Sequence, residues 1–398
     1  MPAYAEMGTE ELETLKHGLE REYAEIQAKG LSLNMARGKP GSDQLDLSMP
    51  LLTAVTTAED CRAEDGTDCR NYGVLDGLPE AKRFMAAMLD DEPENVIVGG
   101  NSSLSLMYEA VARCWNFGTL GSEPWCRLEQ VKWLCPVPGY DRHFGVTEAF
   151  GIQMIPVPMT EEGPDMDEVE RLVRDDASVK GIWCVPKYAN PNGVTYSDEV
   201  VRRLASMPCA AEDFRIFWDN AYCVHHLYDD VAEQDQLLDI GAACREAGNP
   251  HRPFKFASTS KVTHPGAGIS ALAASPENVA EIKKRLGVGT IGYDKINQLR
   301  HVRFLKDAEG LAAHMSKHAA ILRPKFERVL SKLDEGLSEV GGCSWSRPRG
   351  GYFVSFDAPE GTAKRIVQLA KEAGVTMTGA GATWPYKHDP HDSNIRIA

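Results

Sequence analysis

Residues 215–222 read RIFWDNAY, and residues 254–261 read FKFASTSK. Each stretch begins with a short and mostly apolar run, which is typical of a strand buried on both faces of a parallel sheet. A charged side chain follows each run, Asp219 in the first stretch and Lys261 in the second. Because open α/β sheets bind ligands at the carboxyl ends of their strands, the two stretches predict an acidic and a basic group at one edge of a sheet.

The central part of the chain repeats this alternation of short apolar runs and helical patterns. Seven runs predict strands, so the predicted fold class is α/β, with a mostly parallel seven-stranded sheet between helices. The predicted strands are Asn95–Val98, Lys132–Cys135, Met154–Val157, Gly181–Val185, Arg215–Trp218, Phe254–Ala257 and Ile269–Ala274. The predicted helices include Ser103–Trp115, Asp165–Arg174 and Asp198–Met207.

The two ends of the chain have a different pattern. A surface helix with one apolar face is predicted over residues 9–29. A helical stretch over residues 311–340 contains Pro324, which is expected to kink or divide it, and an alternating strand follows at 350–356. We expect a large ligand-binding domain over residues 46–305, and a smaller α/β domain formed by residues 1–45 together with residues 306–398.

The composition excludes several classes of protein. The 398 residues include 43 Lys and Arg against 58 Asp and Glu, a formal charge of −15 without a basic run, which disfavours nucleic-acid binding. No apolar stretch approaches the ~18 residues of a membrane span, and the N-terminus lacks the pattern of a signal peptide. The ten cysteines include no CxxC pair, so we expect reduced thiols, no zinc ribbon and a cytoplasmic location.

The loop after the first predicted strand is suited to an anion. It reads GGNSS at 99–103, and its glycines allow a tight turn. Backbone N–H groups at the start of the following helix favour a phosphate, and Ser102 and Ser103 add hydroxyl donors. The alternative is an ordinary capped turn, and the loop lacks the GxGxxG pattern of dinucleotide sites.

Asp219 and Lys261 each allow an ordinary and a chemical interpretation. Asp219 is either a helix cap or an anchor for a ligand nitrogen, because a buried carboxylate is costly without strong donors. Lys261 is either an exposed lysine or a partly desolvated amine able to form a Schiff base. Its SxxK spacing also occurs in penicillin-binding enzymes, but their SDN and KTG partners are missing. One loop thus carries an anionic group, a second carries a cationic group, and a third is suited to a phosphate. Three such loops on one sheet together fit pyridoxal phosphate.

Nine segments carry a family resemblance that extends from about residue 31 to the end of the chain. They are MARGKPGSDQLDLS at 35–48, RNYGVLDG at 70–77, GGNSS at 99–103, CPVPGYDRHF at 135–144, PKYANPNG at 186–193, FWDNAY at 217–222, STSK at 258–261, PRGGYF at 348–353 and NIRIA at 394–398. In these segments the chain resembles class I of the fold-type I pyridoxal-phosphate aminotransferases. Within that class it is most similar to the aspartate aminotransferase subgroup 1γ.

The resemblance implies a role for each matching residue around the cofactor. Lys261 would hold pyridoxal phosphate as a Schiff base and then move the Cα proton of the substrate. Asp219 would pair with the ring nitrogen. Tyr222 and Asn190 would bind the ring oxygen, and Tyr140 would stack on the ring. The residues that would bind the phosphate are Gly100, Asn101, Ser102, Ser103, Ser258 and, from the neighbouring subunit of a homodimer, Tyr72.

The resemblance also implies how the substrate is bound. Arg396 would clamp the α-carboxylate in a bidentate fork, with Gly38 and Asn190 nearby. The distal carboxylate of a dicarboxylic amino acid needs a second cation. The candidates for this cation are Arg37, Lys39 and Lys295. Each can equally be interpreted as a solvated surface residue.

The chain departs from the family pattern after Lys261. Class members carry an Arg about eight residues later, and here that Arg is missing, so backbone groups, hydroxyls or another cation such as His264 must meet the phosphate charge. Histidines at 225–226 and 388–391 do not lie on an apolar helical scaffold, so no metal site is expected. The chain stops two residues after Arg396, where relatives continue, so we expect a longer native chain.

These observations together predict a homodimeric aminotransferase with shared active sites. It would move an amino group between an L-amino acid, aspartate or glutamate, and a 2-oxo acid by ping-pong kinetics. One alternative is a decarboxylase or carbon–sulfur lyase that uses the same cofactor. Another is a ligand sensor without enzymatic activity, which the acidic charge and the short segment before the family core disfavour.

Overall fold

The structure is a computed structural model, and it describes residues 4–36 and 38–398. No helix in this described part is long and apolar enough to cross a bilayer. The strands are β1 (Leu33–Met35), β2 (Val96–Val98), β3 (Lys132–Val137), β4 (Gln153–Thr160), β5 (Gly163–Pro164), β6 (Val179–Cys184), β7 (Arg215–Asp219), β8 (Pro253–Ser258), β9 (Ser270–Ala273), β10 (Ser344–Trp345), β11 (Val354–Asp357), β12 (Val375–Met377) and β13 (Asn394–Ile397). The α-helices are α1 (Thr9–Ala28), α2 (Ser42–Asp46), α3 (Pro79–Leu89), α4 (Ser103–Phe117), α5 (Asp141–Ala149), α6 (Met166–Arg174), α7 (Asp198–Ser206), α8 (Ile240–Glu246), α9 (Pro276–Gly289), α10 (Lys295–Leu305), α11 (Ala308–Leu337) and α12 (Ala363–Glu372).

The central sheet has the strand order β2-β9-β8-β7-β6-β3-β4-β5 within the described residues. Strands β3, β4, β6, β7 and β8 run parallel, and β9 runs antiparallel to both of its neighbours. The sheet contains all seven predicted strands and confirms the fold class. The additional strand β5 pairs antiparallel with the edge strand β4. Its two residues are too few to produce a periodic signal in the sequence.

Helices cover both faces of the sheet, as nearly continuous apolar strands require. Successive side chains of β7 point to opposite faces. Phe217 therefore joins the cluster that includes Leu106 of α4, whereas Trp218 joins the cluster that includes Val201 of α7. This two-sided burial fixes the direction of β7, and with it the position of the residues that follow its carboxyl end.

Two small sheets bring the chain ends together. Strand β1 pairs parallel with β12, and strands β10, β11 and β13 form an antiparallel sheet. The predicted N-terminal helix is present as α1, and the Tyr23 hydroxyl donates a hydrogen bond of 2.9 Å to the Leu369 carbonyl of α12. The domain boundaries at residues 45 and 305 stay a prediction.

Helix α11 links the large sheet to the small one. Leu311 and Met315 in its first half pack into the cluster around β2 and β9, whereas Phe326 packs against Val354 of β11. Pro324 was expected to kink or divide this helix. Division is wrong, because α11 continues through Pro324, and a kink stays a prediction. Proline removes one N–H donor from the ladder, and the packing on both sides holds the helix together.

We expect Gly374→Ala to destabilise the junction between the two chain ends. Gly374 follows α12 with a φ of +84°, and a Cβ there would lie 1.9 Å from the Leu31 carbonyl oxygen. The expected loss is about 2–4 kcal/mol in the free energy of unfolding, from left-handed strain and a backbone clash. Urea-induced unfolding measures it.

The matched control is Gly361→Ala at the other end of α12. Gly361 has a similar φ of +77°, but open space surrounds the position of its Cβ. This variant is expected to lose only about 1 kcal/mol, from backbone strain alone. Equal losses in the two variants would contradict the packing described for residue 374.

Candidate active site

A buried carboxylate lies at the carboxyl end of the central strand β7. One oxygen of Asp219, Oδ2, lies 2.9 Å from Nε2 of His143, and both side chains are buried. The His143 ring stacks on Trp183 with 4.4 Å between centroids and 13° between planes. The other oxygen, Oδ1, is buried and has no hydrogen-bond partner among the described residues. An unpartnered buried carboxylate oxygen is costly, so this atom is suited to a donor from a ligand.

Lys261 follows the neighbouring strand β8 and lies near two tyrosines. Its Nζ is 4.8 Å from the ring centroid of Tyr222, and its side chain is half-buried. Burial and the charge of Asp219 raise the pKa of Tyr222, so its hydroxyl stays protonated and able to donate at neutral pH. Burial raises the pKa of Tyr140 to about 12, although the charge of Lys261 acts in the opposite direction. The predicted lysine, aspartate and tyrosines therefore lie in one region.

Arg396 lies on β13, and its guanidinium group is 6% exposed. One terminal nitrogen, Nη1, donates to Asn190 Oδ1 and to Asp141 Oδ1, both at 3.1 Å. The other, Nη2, donates to Thr378 Oγ1 at 3.1 Å. The guanidinium carbon lies 5.0 Å from the ring centroid of Phe353. Nε has no hydrogen-bond partner in the described part of the chain, which leaves the edge formed by Nε and Nη2 suited to a carboxylate.

Serine hydroxyls join the GGNSS loop to the segment that contains Lys261. The Ser258 hydroxyl donates to that of Ser260, which donates to the Asn101 carbonyl, each at 3.0 Å. The Ser270 hydroxyl donates to the Gly100 carbonyl at 2.8 Å. Ser102 caps α4 by accepting from the Leu104 amide at 3.2 Å, and Ser103 begins that helix. The GGNSS loop is therefore a capped turn, and its helix start lies beside the loop that contains Lys261.

The remaining predicted residues lie in several places. Gly38 lies against Phe353, where a Cβ would be 2.6 Å from the ring. Tyr72 is 83% exposed, and Lys39 is exposed. Lys295 is buried and donates to the Gly73 carbonyl at 2.9 Å. His264 lies 3.2 Å from the Leu45 carbonyl through its Nε2. Arg37 lies outside the described residues.

Sequence reasoning missed the side chains that support the predicted ones. His143 lies within the CPVPGYDRHF segment, three residues after Tyr140, so its position in that segment was the available signal. Asp141 has the same signal, because it begins α5 directly after Tyr140. Ser260 had the same kind of signal from the STSK segment, whereas Thr378 lies outside the matching segments and acts through its contacts with Ala36 and Arg396.

Comparisons with known proteins show the family of the chain. The family described as Aspartate amino-transferase matches residues 7–398. A Mycolicibacterium smegmatis protein that carries an aminotransferase name is 50% identical over 100% of this chain and 92% of its own length. An aspartate aminotransferase of Corynebacterium glutamicum is 48% identical over 96% of this chain and 87% of its own length.

Solved structures give the same result. The crystal structure of an aspartate transaminase from Corynebacterium glutamicum has a TM-score of 0.94 at 46% identity, over 98% of this chain and 92% of that one. An α-aminoadipate aminotransferase from Thermus thermophilus, at 20% identity and a TM-score of 0.74, shares the fold. The chain therefore belongs to the aspartate aminotransferase family, and it is a fold-type I aminotransferase.

Proposed function

We propose that the protein uses pyridoxal phosphate to move an amino group between L-aspartate or L-glutamate and a 2-oxo acid, by a ping-pong mechanism. The observation that supports this proposal most strongly is the buried Asp219, held by His143 at one oxygen and open at the other. An open, buried carboxylate oxygen fits a protonated ring nitrogen. The Thermus thermophilus structure of the same fold was solved with N-(5'-phosphopyridoxyl)-L-leucine, which is consistent with this cofactor.

The residues present fit the other parts of the cofactor. Lys261 provides the amine that would bind its aldehyde, and Tyr140 provides an aromatic face for the ring. The start of α4 beside Ser258 provides backbone N–H groups and hydroxyls for a phosphate. When bound, pyridoxal phosphate supplies an electron-withdrawing ring that stabilises the negative charge left when the Cα–H bond of an amino acid breaks.

The chain's own residues would orient the substrate and move its proton. Asp219 would keep a proton at the ring nitrogen, and His143 fixes the direction of that carboxylate by its hydrogen bond and by stacking on Trp183. Lys261 would act as the base that takes the proton from the substrate Cα. Tyr222, protonated at neutral pH, would donate a hydrogen bond to the ring oxygen.

Arg396 would bind the α-carboxylate through Nε and Nη2. Three neighbours already fix its plane: Asn190 and Asp141 accept from Nη1, and Thr378 accepts from Nη2. Preorganisation of this kind lowers the entropy cost of binding. Asp141 also partly neutralises the arginine, so a substrate carboxylate competes with it for the same cation.

Preference for a dicarboxylic substrate rests on the 48% identical relative that is named an aspartate aminotransferase. The net charge of −15 does not attract an acidic substrate, so a local cation must bind its distal carboxylate. We propose that this cation is one of the candidates named from the sequence. They are Arg37, Lys39 and Lys295.

We also propose a homodimer whose partner contributes Tyr72. This side chain is 83% exposed, and the apolar Val288 and Ile291 are 89% and 63% exposed. Val288 lies in the last turn of α9 and Ile291 in the loop that follows, and this loop is adjacent to the loop that contains Tyr72, because a Cβ on Gly292 would lie 2.6 Å from the Gly73 carbonyl oxygen. Exposed apolar side chains in adjacent segments favour an interface between subunits. We also propose that residues 46–305 form a large domain and the two chain ends a small one, a division that is compatible with such a dimer.

Lys261→Ala is expected to lower the rate of transamination by about 10³-fold or more, because the general base and the covalent anchor of the cofactor are both lost. The visible absorption band of the bound cofactor should disappear as well. Lys284→Ala, which removes an exposed lysine of α9, is the matched control and should retain both. A Lys261→Ala protein with an unchanged spectrum and activity would rule out the proposed role.

A panel of L-amino acids tests the proposed substrate class. Each is added to the loaded enzyme, and the loss of the cofactor band is followed in a single turnover. Aspartate and glutamate are expected to react about tenfold or more faster than alanine and leucine, since one additional charge-assisted contact supplies about that factor. Oxaloacetate as the product from aspartate supports transamination, whereas alanine and carbon dioxide would indicate a decarboxylase.

Arg396→Lys is expected to lower kcat/KM for aspartate by about 100-fold, because a lysine cannot form the bidentate fork. Arg365→Lys, a change of the same kind on the exposed side of α12, should leave kcat/KM unchanged. If the two variants behave alike, the α-carboxylate is bound elsewhere.

A further inference from the structure

A buried glutamine lies in the short helix α2, in the segment that contains Gly38. Gln44 is 1% exposed. Its Nε2 donates to the Tyr352 hydroxyl at 2.9 Å and lies 3.0 Å from Nδ1 of His318, while its Oε1 accepts from the Gly41 amide at 3.1 Å. A buried amide is costly unless its polar atoms are satisfied. This glutamine therefore stays buried only while residues 41–44 stay docked against α11 and Tyr352.

A chain of close polar contacts continues from Gln44 to the loop that contains Lys261. His318 Nε2 lies 3.1 Å from Nε2 of His314, which lies 2.8 Å from the Val262 carbonyl oxygen. The Ser48 hydroxyl also lies 3.3 Å from His314 Nε2. Burial lowers the pKa of His318 to about 4, so this histidine is neutral at neutral pH. The network thus joins both ends of the stretch 44–48 to the residue that directly follows Lys261.

The other end of the same segment is joined to the surroundings of Arg396. The Ala36 carbonyl accepts from the Thr378 hydroxyl at 2.7 Å, and that hydroxyl oxygen also accepts from Arg396 Nη2. Gly38 lies against Phe353, on whose ring Arg396 rests. The residue before Phe353 is Tyr352, the partner of Gln44. Residues 38–48, here named the N-terminal strap, are therefore held between Arg396 at one end and the Lys261 loop at the other.

We propose that Gln44, Tyr352 and His318 are positioning residues that hold the N-terminal strap docked against Phe353, and that only the docked strap completes the carboxylate site at Arg396. The proposal rests on the proposed function. Because these residues do not touch the reacting atoms, they set the fraction of molecules that is ready to bind. The apparent dissociation constant of a substrate rises as that fraction falls, whereas the rate of the bound complex does not change.

The strap position and the catalytic constants are measured on the same loaded enzyme. Amide hydrogen exchange over residues 42–48 reports the strap, because the amides of Gln44 and Leu45 are bonded to the Gly41 carbonyl and that of Ser48 to the Leu45 carbonyl. Steady-state kinetics with aspartate give KM and kcat. The variants are Gln44→Ala and Tyr352→Phe, which removes one hydroxyl and keeps the ring. The matched control is Gln368→Ala, an exposed glutamine of α12 bonded to Glu372.

Gln44→Ala is expected to speed exchange over residues 42–48 and to raise KM, both by about tenfold, with kcat within about twofold of the parent. Tyr352→Phe should shift both quantities in the same direction by a smaller factor, and Gln368→Ala should shift neither. Unchanged exchange over residues 42–48 in Gln44→Ala and Tyr352→Phe would overturn the proposal, as would faster exchange with an unchanged KM. A parent protein that does not transaminate would overturn the proposed function instead, and exchange alone would then decide whether the network holds the strap.

Discussion

The contact between Asp219 and His143 is the interaction on which the rest of the site depends. A carboxylate at the end of a buried strand is tolerated only where hydrogen bonds replace its lost water. His143 satisfies one oxygen, and the stacking of its ring on Trp183 fixes the direction of that bond. The second oxygen has no partner in the described part of the chain, so the fold keeps one strong acceptor ready for a ligand. The packing of the central sheet gives this arrangement its rigidity, since Trp183 contacts Phe217 and Trp133 in turn.

The strand order explains why groups from distant parts of the chain meet. Strands β7 and β8 are neighbours, and β9 lies between β8 and β2 and is antiparallel to both, so β2 and β8 end at the same edge of the sheet. The loops after β2 and β8 are thereby joined through Ser260 and Asn101, which are 159 residues apart. The two small sheets then bring Arg396 from the end of the chain to Asn190 and Asp141. Strand pairing and packing determine where each element lies. The candidate catalytic groups come together where the ends of these elements converge.

The sequence predicted the strands and the charged groups well, because both leave local signals. An apolar run followed by Asp219 or Lys261 is visible in a single stretch. The supporting contacts leave no such signal. Gln44 contacts His318, which is 274 residues away in the sequence. Neither a glutamine nor a histidine indicates by itself which residue it will contact. The division of α11 at Pro324 was wrong for a related reason, since local propensity favours a break but packing on two clusters overrides it. His264 was named as a replacement for the missing arginine, and the structure places it beside the Leu45 carbonyl.

The proposed function depends on the proton that Asp219 would hold on the ring nitrogen of the cofactor. The most direct measurement is the ¹⁵N chemical shift of that nitrogen in enzyme loaded with labelled pyridoxal phosphate at neutral pH, compared between the parent protein and Asp219→Asn. We expect the shift of a protonated pyridinium in the parent protein and that of a neutral pyridine in the variant. A neutral ring nitrogen in the parent, or the same shift in both proteins, would contradict it.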